Sequence, residues 1–189
     1  NPEIAFENVS FEYKKGNKII NDVNLTIPYS ETIAFVGPSG EGKTTLIRLI
    51  LSLINPSNGK VYLKENNKVI FVWLTPGKGD LEEQSRKKMV KFLPHHNTKN
   101  IQDVLLQGFD AKDTAFINWE TITKKGNKAL KEAERKNLYE RVHEAHNNGY
   151  KFIIIVDEEH LNKTVKAEAI IEYMNPEYIV RVSATTKMN

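Results

Sequence analysis

The segment Gly37-Pro-Ser-Gly-Glu-Gly-Lys-Thr44, set between the apolar run Thr32-Ile-Ala-Phe-Val36 and a helix-forming stretch that begins at Lys43, constrains this chain more than any other. It matches the pattern G-x-x-x-x-G-K-[ST], which carries its meaning only when a strand precedes it and a helix follows. Both flanks are present. An apolar run of five residues ending in glycine reads as a buried strand. From Lys43 to Ile54 apolar residues occupy nearly every side, with Arg48 the exception, as in a helix packed among other elements.

Each position in the loop has a physical role. Glycines permit positive φ and let main-chain N–H groups close around phosphate oxygens. The helix that follows points its positive end at the same anion. The expected ligand contacts therefore come from Gly37, Ser39, Gly40, Glu41, Gly42, Lys43, Thr44 and Thr45. Lys43 is placed to reach the β and γ phosphates of a nucleoside triphosphate, and the Thr44 hydroxyl to ligate Mg²⁺. The plain alternative, a glycine-rich turn that binds nothing, fits the flanking strand and helix poorly.

A second constellation lies far downstream. Phe152-Ile-Ile-Ile-Val156 reads as another fully buried strand and runs straight into Asp157-Glu-Glu-His160. Open α/β sheets place ligands at the carboxyl ends of such strands. Asp157 is expected to hold Mg²⁺ through water, with Glu158 and Lys43 as the catalytic pair: Glu158 orients the water that attacks the γ-phosphate. Ser183-Ala-Thr185 ends a last strand over Tyr178–Val182 and offers hydroxyls to those carboxylates.

The remaining segments alternate strand and helix. Val23, Leu25 and Ile27 alternate with polar partners, and Gly16 between Phe11–Tyr13 and Ile19–Ile20 signals a hairpin. Asn55-Pro-Ser-Asn-Gly59 breaks the chain. Strands are then expected at Val69–Leu74, Val104–Leu106 and Thr114–Ile117, with helices over 81–93, 128–147 and Lys163–Met174. On the helix over 128–147, Glu132 and Lys136 stand at pair spacing, and Gly149 ends it. This alternation implies right-handed crossovers and a mostly parallel sheet.

Composition narrows the class further. A chain of 189 residues, 40% hydrophobic, suits one α/β domain over its whole length. No cysteine is present, so disulfides and thiolate metal sites are excluded. No apolar run approaches the roughly 20 residues of a membrane span. The start, Asn-Pro-Glu-Ile, has neither region of a signal peptide, and without Met it is expected to be a trimmed piece; the expectation is a cytoplasmic protein with no membrane partner. A net charge of +3 permits phosphate contact without arguing for nucleic acid. His143-Glu-Ala-His146 has the wrong spacing for a zinc protease and is expected on a solvated helix face. Trp73 and Trp119 read as packed aromatics before they read as base-stacking ones.

These residues resemble two families. Residues 1 to about 64 resemble the start of an ABC-transporter ATPase domain, through Ile4-Ala-Phe-Glu-Asn-Val-Ser-Phe-Glu-Tyr13, Ile20-Asn-Asp-Val-Asn-Leu25, Gly37-Pro-Ser-Gly-Glu-Gly-Lys-Thr-Thr45 and Asn55-Pro-Ser-Asn-Gly-Lys-Val-Tyr62. That resemblance implies that Tyr13 stacks on adenine. Residues from about 65 to 189 resemble the first RecA-like domain of a DExH helicase of the type III restriction-enzyme kind. The segments are Leu74-Thr-Pro-Gly77, Phe116-Ile-Asn-Trp-Glu120, Asp157-Glu-Glu-His160 and Ser183-Ala-Thr185. After residue 64 there is no Leu-Ser-Gly-Gly-Gln signature, no glutamine loop and no switch histidine that can be placed. The helicase-like half shows no phosphate loop of its own, and the resemblance covers only the first RecA-like domain.

Together the resemblances imply an engineered chimera joined near Lys64–Lys68. The implied fold is a three-layer α/β P-loop NTPase with a mostly parallel sheet and a small N-terminal antiparallel β layer. Its Ser-Ala-Thr strand should lie between the phosphate-loop and DExH strands. The implied activity is Mg·ATP binding with slow or absent hydrolysis. Weak single-stranded nucleic-acid binding is one competing expectation. A joining of interchangeable pieces with no nucleotide affinity is the other.

Overall fold

The computed structural model describes residues 4–38, 40–63, 68–75, 86–87, 89–90, 97–118, 136–157 and 165–183. Strand β1 (Ile4–Lys14) turns at Gly16 into β2 (Asn17–Ile27), and β4 (Asn58–Leu63) pairs with the other edge of β1. All pairings are antiparallel, in the order β2-β1-β4. This is the small N-terminal layer expected from the sequence.

The second sheet is parallel throughout. Its order is β3 (Thr32–Val36), β9 (Tyr178–Ser183), β8 (Lys151–Asp157), β5 (Val69–Thr75), β7 (Thr114–Asn118) and β6 (Thr98–Asn100). Helix α1 (Lys43–Ile50) follows β3; α2 (Ile101–Gln107), α3 (Leu138–Asn147) and α4 (Val165–Met174) complete the described helices. Residues 86–87 and 89–90 are helical with Met89 buried, while the rest of the helix expected over 81–93 lies outside the described residues.

Period-two alternation divides the core between the two faces of this sheet. Phe71, Trp73, Phe116, Ile153, Ile155, Val180 and Val182 pack with Ile47, Leu49 and Ile50 of α1 and with Ile4, Phe6 and Ile27 of the antiparallel layer. Ile70, Val72, Leu74, Ile154 and Val156 pack on the other face against α2, α3 and α4. Strands β5 and β8 are apolar on both faces because helices or sheet cover both, as in a parallel sheet.

Four expectations need correction. The strand before the loop is not buried: β3 is an edge strand paired with β9, and Val36 is 48% exposed. Val104–Leu106 is helical, not a strand, because Asn100 caps α2 in a reciprocal box with Asp103. Helix α3 starts at Leu138, where Asn137 and Glu140 form a second such box, so Lys136 precedes it; residues 128–135 of the expected helix lie outside the described residues. Lys136 pairs with Glu144, and Glu132 lies outside the described residues. Helix α1 ends at Ile50 rather than Ile54. Among the described residues no helix is long and apolar enough to cross a membrane.

One buried charge cluster ties the far edge of the sheet together. Lys99 on β6 is 3% exposed and donates to Gly108 O and Asp110 Oδ2 at 2.9 and 2.7 Å; its ammonium lies 2.7 Å from Asp113 Oδ2. Burial alone pushes the Lys99 ammonium down, but the hydrogen bonds and charges of Asp110 and Asp113 outweigh it and hold it above its ordinary 10.5. Its stabilising contribution is therefore whole below pH 10.5 and is lost as pH rises through the higher folded-state value. Lys99→Met should cost about 3 kcal/mol near neutral pH, because it leaves the Asp113 carboxylate buried without its cation. In urea titrations between about pH 8 and about pH 11.5, wild-type stability should fall more steeply than that of the variant. Parallel curves would assign the cluster no net role.

Candidate functional site

The carboxyl ends of four adjacent strands form one rim. Val36 pairs with Ser183, Val182 with Asp157, and Val156 with Leu74, so β3, β9, β8 and β5 finish at nearly one level. Two strand spacings, about 10 Å, separate the end of β3 from Asp157. The expected strand order is thus present, with β9 between the loop strand and the acidic strand.

Above that rim the loop has the backbone its sequence asks for. Gly40 and Gly42 have φ of 91° and 89°, a region that costs L side chains dearly. Gly42 is doubly constrained, since a Cβ there would sit 2.8 Å from Ile20 Cδ1 and 3.2 Å from Ile19 O. The loop is thereby pressed against β2. Gly42 also serves as the N-cap of α1 and brings no side-chain acceptor, whereas Asn100 and Asn137 cap α2 and α3. The first bond into the helix runs from Leu46 N to Gly42 O at 2.9 Å. The N–H groups of Lys43, Thr44 and Thr45 therefore have no helical acceptor and point outward at the positive end of α1. No acidic residue stands in that first turn.

Lys43 folds back over the loop and donates to Gly37 O and Pro38 O at 2.6 and 2.5 Å. An ammonium carries three protons, so one remains after these two bonds. Glu41 lies across the loop as well, its Oε2 standing 2.9 Å from where a Cβ on Gly37 would be. The two threonines differ. Thr44 is exposed, while Thr45 is buried with its hydroxyl 3.3 Å from Tyr13 OH. Tyr13 accepts a further bond from Arg48 at 2.8 Å, and Phe11 packs edge-on against its ring at 4.8 Å. Tyr13 as a whole stays 47% exposed beside the start of α1.

Pleat parity sorts the rest of the rim. Asp157 continues the series Ile153 and Ile155, whose face carries α1. Ser183 falls on the other series, with Arg181, which bonds Glu168 of α4 at 3.2 and 3.3 Å. The expected pairing of the Ser183 hydroxyl with Asp157 therefore does not follow from strand order alone. Ser39, Glu158, Thr185 and Trp119 lie outside the described residues. Trp73 is buried and stacked on Phe116 at 5.6 Å, as its packing reading required. His143 is exposed as expected, but His146 is half-buried and its Nε2 lies 3.0 Å from Met174 O.

What sequence reasoning missed is on β5. Thr75 Oγ1 and Trp73 Nε1 are buried without a hydrogen-bond partner among the described residues. A threonine closing an otherwise apolar strand was the available signal.

The donor set suits a polyphosphate with its cation. The first turn of α1 offers outward N–H groups, the Lys43 ammonium and the exposed Thr44 hydroxyl, Asp157 ends a strand two places along the rim, and a Cβ on Gly40 would meet nothing within 4 Å. Comparison with known proteins agrees. The choline transport ATP-binding protein OpuBA of Bacillus subtilis is 50% identical over 64 residues, which are 34% of this chain and 17% of that protein. The mitochondrial iron-sulfur clusters transporter ABCB7 of Rattus norvegicus is 41% identical over 64 residues, again 34% of this chain but 8% of the relative. The chain thus spans less than a fifth of either. A bacterial Atm1-family ABC exporter with ATP bound overlays 95% of this chain and 34% of its own, at 20% identity and a TM-score of 0.46, too loosely to align site residues. The family model for ABC transporters matches residues 20–174, taking in the loop, α1 and the acidic strand, and the chain belongs to that family, whose ATPase domains bind ATP with Mg²⁺.

Proposed function

We propose that residues Gly37–Thr45 and Asp157 hold Mg·ATP, and that the chain alone hydrolyses it slowly or not at all. The observation that carries this reading is the Gly37–Lys43 loop: its left-handed glycines, its folded-back lysine and the open first turn of α1 sit on the rim that ends in Asp157. Main-chain N–H groups from Gly40 to Thr45 bind phosphate oxygens, and Lys43 directs its remaining proton to the β and γ phosphates. Thr44, exposed in the first turn, offers a hydroxyl to the cation, and Asp157 faces the same side of the sheet and reaches it through water. When bound, Mg²⁺ supplies the charge that neutralises the phosphate oxygens. Glu158, the next residue along, orients the attacking water.

Slow turnover follows from charge. Phosphoryl-transfer enzymes that lack an added arginine lose about 10³–10⁵ in rate. Lys43 has two of its three protons committed to loop carbonyls, Arg48 donates to Tyr13, and Arg181 pairs with Glu168. A transition state with more negative charge needs a cation beyond these.

A second reading concerns the chain after residue 64. Identity to each curated relative above is confined to 64 residues, about a third of the chain. The reading itself rests on the resemblance of the segments after residue 64 to a helicase domain: a chimera whose remainder binds single-stranded nucleic acid weakly. The resemblance implies contacts through Leu74-Thr-Pro-Gly77 and Phe116-Ile-Asn-Trp-Glu120, whose Thr75 and Asn118 pair across β5 and β7 at the rim.

Three measurements test these readings. Calorimetric titration of wild type with ATP and Mg²⁺ should show binding that Lys43→Ala abolishes; equal binding by the variant would mean the site is misassigned. Tyr13→Ala should weaken ATP about fivefold, since an aromatic stack is worth on the order of 1 kcal/mol. Tyr13→Phe should bind nearly as wild type, because the ring rather than the hydroxyl meets adenine; the reverse pattern would give Tyr13 a structural role only. Fluorescence anisotropy with single-stranded DNA should show weak binding at low salt that fades as salt rises. A flat trace at low salt ends the second reading.

A further inference from the structure

The orphaned polar atoms on β5 lie beside the acidic strand end. Leu74 pairs with Val156, so the next residues, Thr75 and Asp157, stand side by side about 4.8 Å apart at the backbone. Both continue the parity that faces α1: Phe71 and Trp73 precede Thr75, and Ile153 and Ile155 precede Asp157. Thr75 is 1% exposed and its Oγ1 has no hydrogen-bond partner among the described residues. The Trp73 indole N–H, two residues earlier on the same face, is buried in the same state.

A buried hydroxyl without a partner costs stability, so such groups are rare unless something outside the protein satisfies them. Two on one face of one strand, ending next to a carboxylate, mark a place where polar matter enters. Packing does not explain the choice of residue. Valine has the shape of threonine without the polar atom, and the five residues before it from Ile70 to Leu74 are all apolar.

We infer that Thr75 is a positioning residue of the nucleotide site, its hydroxyl acting with the Asp157 carboxylate to hold the water shell of the bound Mg²⁺. This rests on the Mg·ATP reading above. The hydroxyl accepts from a cation-bound water through one lone pair and can donate its proton to Asp157. Sharing that water between two groups fixes the cation's place along the rim. Thr75 touches neither nucleotide base nor ribose in this role, so its effect is confined to the metal-dependent part of binding.

Thr75→Val, Thr75→Ser and wild type distinguish this inference from its premise. ATP affinity is measured by calorimetry with and without Mg²⁺, and melting is followed on the nucleotide-free proteins. The gain in affinity on adding Mg²⁺ should shrink roughly tenfold in Thr75→Val, as for loss of a hydrogen bond to a charged group. Metal-free affinity should stay put, and Thr75→Ser should restore the gain. The nucleotide-free Thr75→Val protein should melt at or above the wild-type temperature, since it lacks the orphaned atom. A drop of more than about 3 °C would show that the hydroxyl is paired within the fold and would overturn the inference. So would an unchanged Mg²⁺ gain in Thr75→Val. If wild type itself shows no Mg²⁺-dependent ATP binding, the premise fails and this inference with it.

Discussion

Parallel register across β3, β9, β8 and β5 decides what stands at the carboxyl rim of the sheet. A slip of one residue in a strand exchanges its two faces. Slipping β8 by one would send Asp157 to the side of α3 and α4 and bring Val156 toward α1. In β8 both faces are apolar, so alternation of polar and apolar residues cannot forbid that slip. The ends of the strand do. Lys151 N bonds Lys68 O at 2.9 Å, and Glu177 N bonds Phe152 O at 2.8 Å, each from the turn that leads into a neighbouring strand. At the opposite end, Asp157 is half-buried while Ile155 and Val156 are fully buried, so a slip would draw a carboxylate into the core. Desolvating that charge without a partner is far costlier than misplacing a methyl group.

The loop is shaped from outside as well as by its own glycines. Ile20 on β2 occupies the space a Gly42 side chain would need, and the Tyr13 hydroxyl ties β1 to Thr45 and Arg48 of α1. The antiparallel layer therefore sets both the entry of α1 and the position of the exposed aromatic. This explains why one apolar cluster runs without interruption from Ile4, Phe6 and Ile27 through α1 to Ile153 and Val182. Layer, helix and sheet share one interior, and the phosphate loop lies where the three meet.

Much of this was legible in the sequence wherever one local rule governs. The loop, the hairpin at Gly16, and strands β5, β7, β8 and β9 depend on spacing or on apolar runs that tertiary contacts reinforce. Where two local signals compete, the reading failed. Val104-Leu-Leu106 has the composition of a strand, but Asn100 and Asp103 close a capping box that commits the same residues to helix. The expected helix ran through Lys136 and Asn137, yet Asn137 caps a helix that begins at Leu138. The exposure of β3 was illegible for another reason: an apolar run does not say whether one neighbour or two will pair with it. The Lys99, Asp110 and Asp113 cluster depends on which strands become adjacent, and no local pattern encodes that; Thr75 stands out locally as a polar end to an apolar strand, but its place beside Asp157 depends on strand order.

These two polar features face opposite demands. Lys99 is buried with its partners around it, at the amino-terminal side of β7, where the sheet must hold together without help. Thr75 is buried without one, at the carboxyl rim, beside an acid. A fold that satisfies a buried ammonium at one end with two carboxylates and a carbonyl is able to satisfy a hydroxyl at the other. That the rim leaves it unsatisfied places one departure from good packing beside Asp157, on the rim where the loop strand also ends. Departures of this kind concentrate at functional sites, because a group already paired within the fold has less left to offer a ligand.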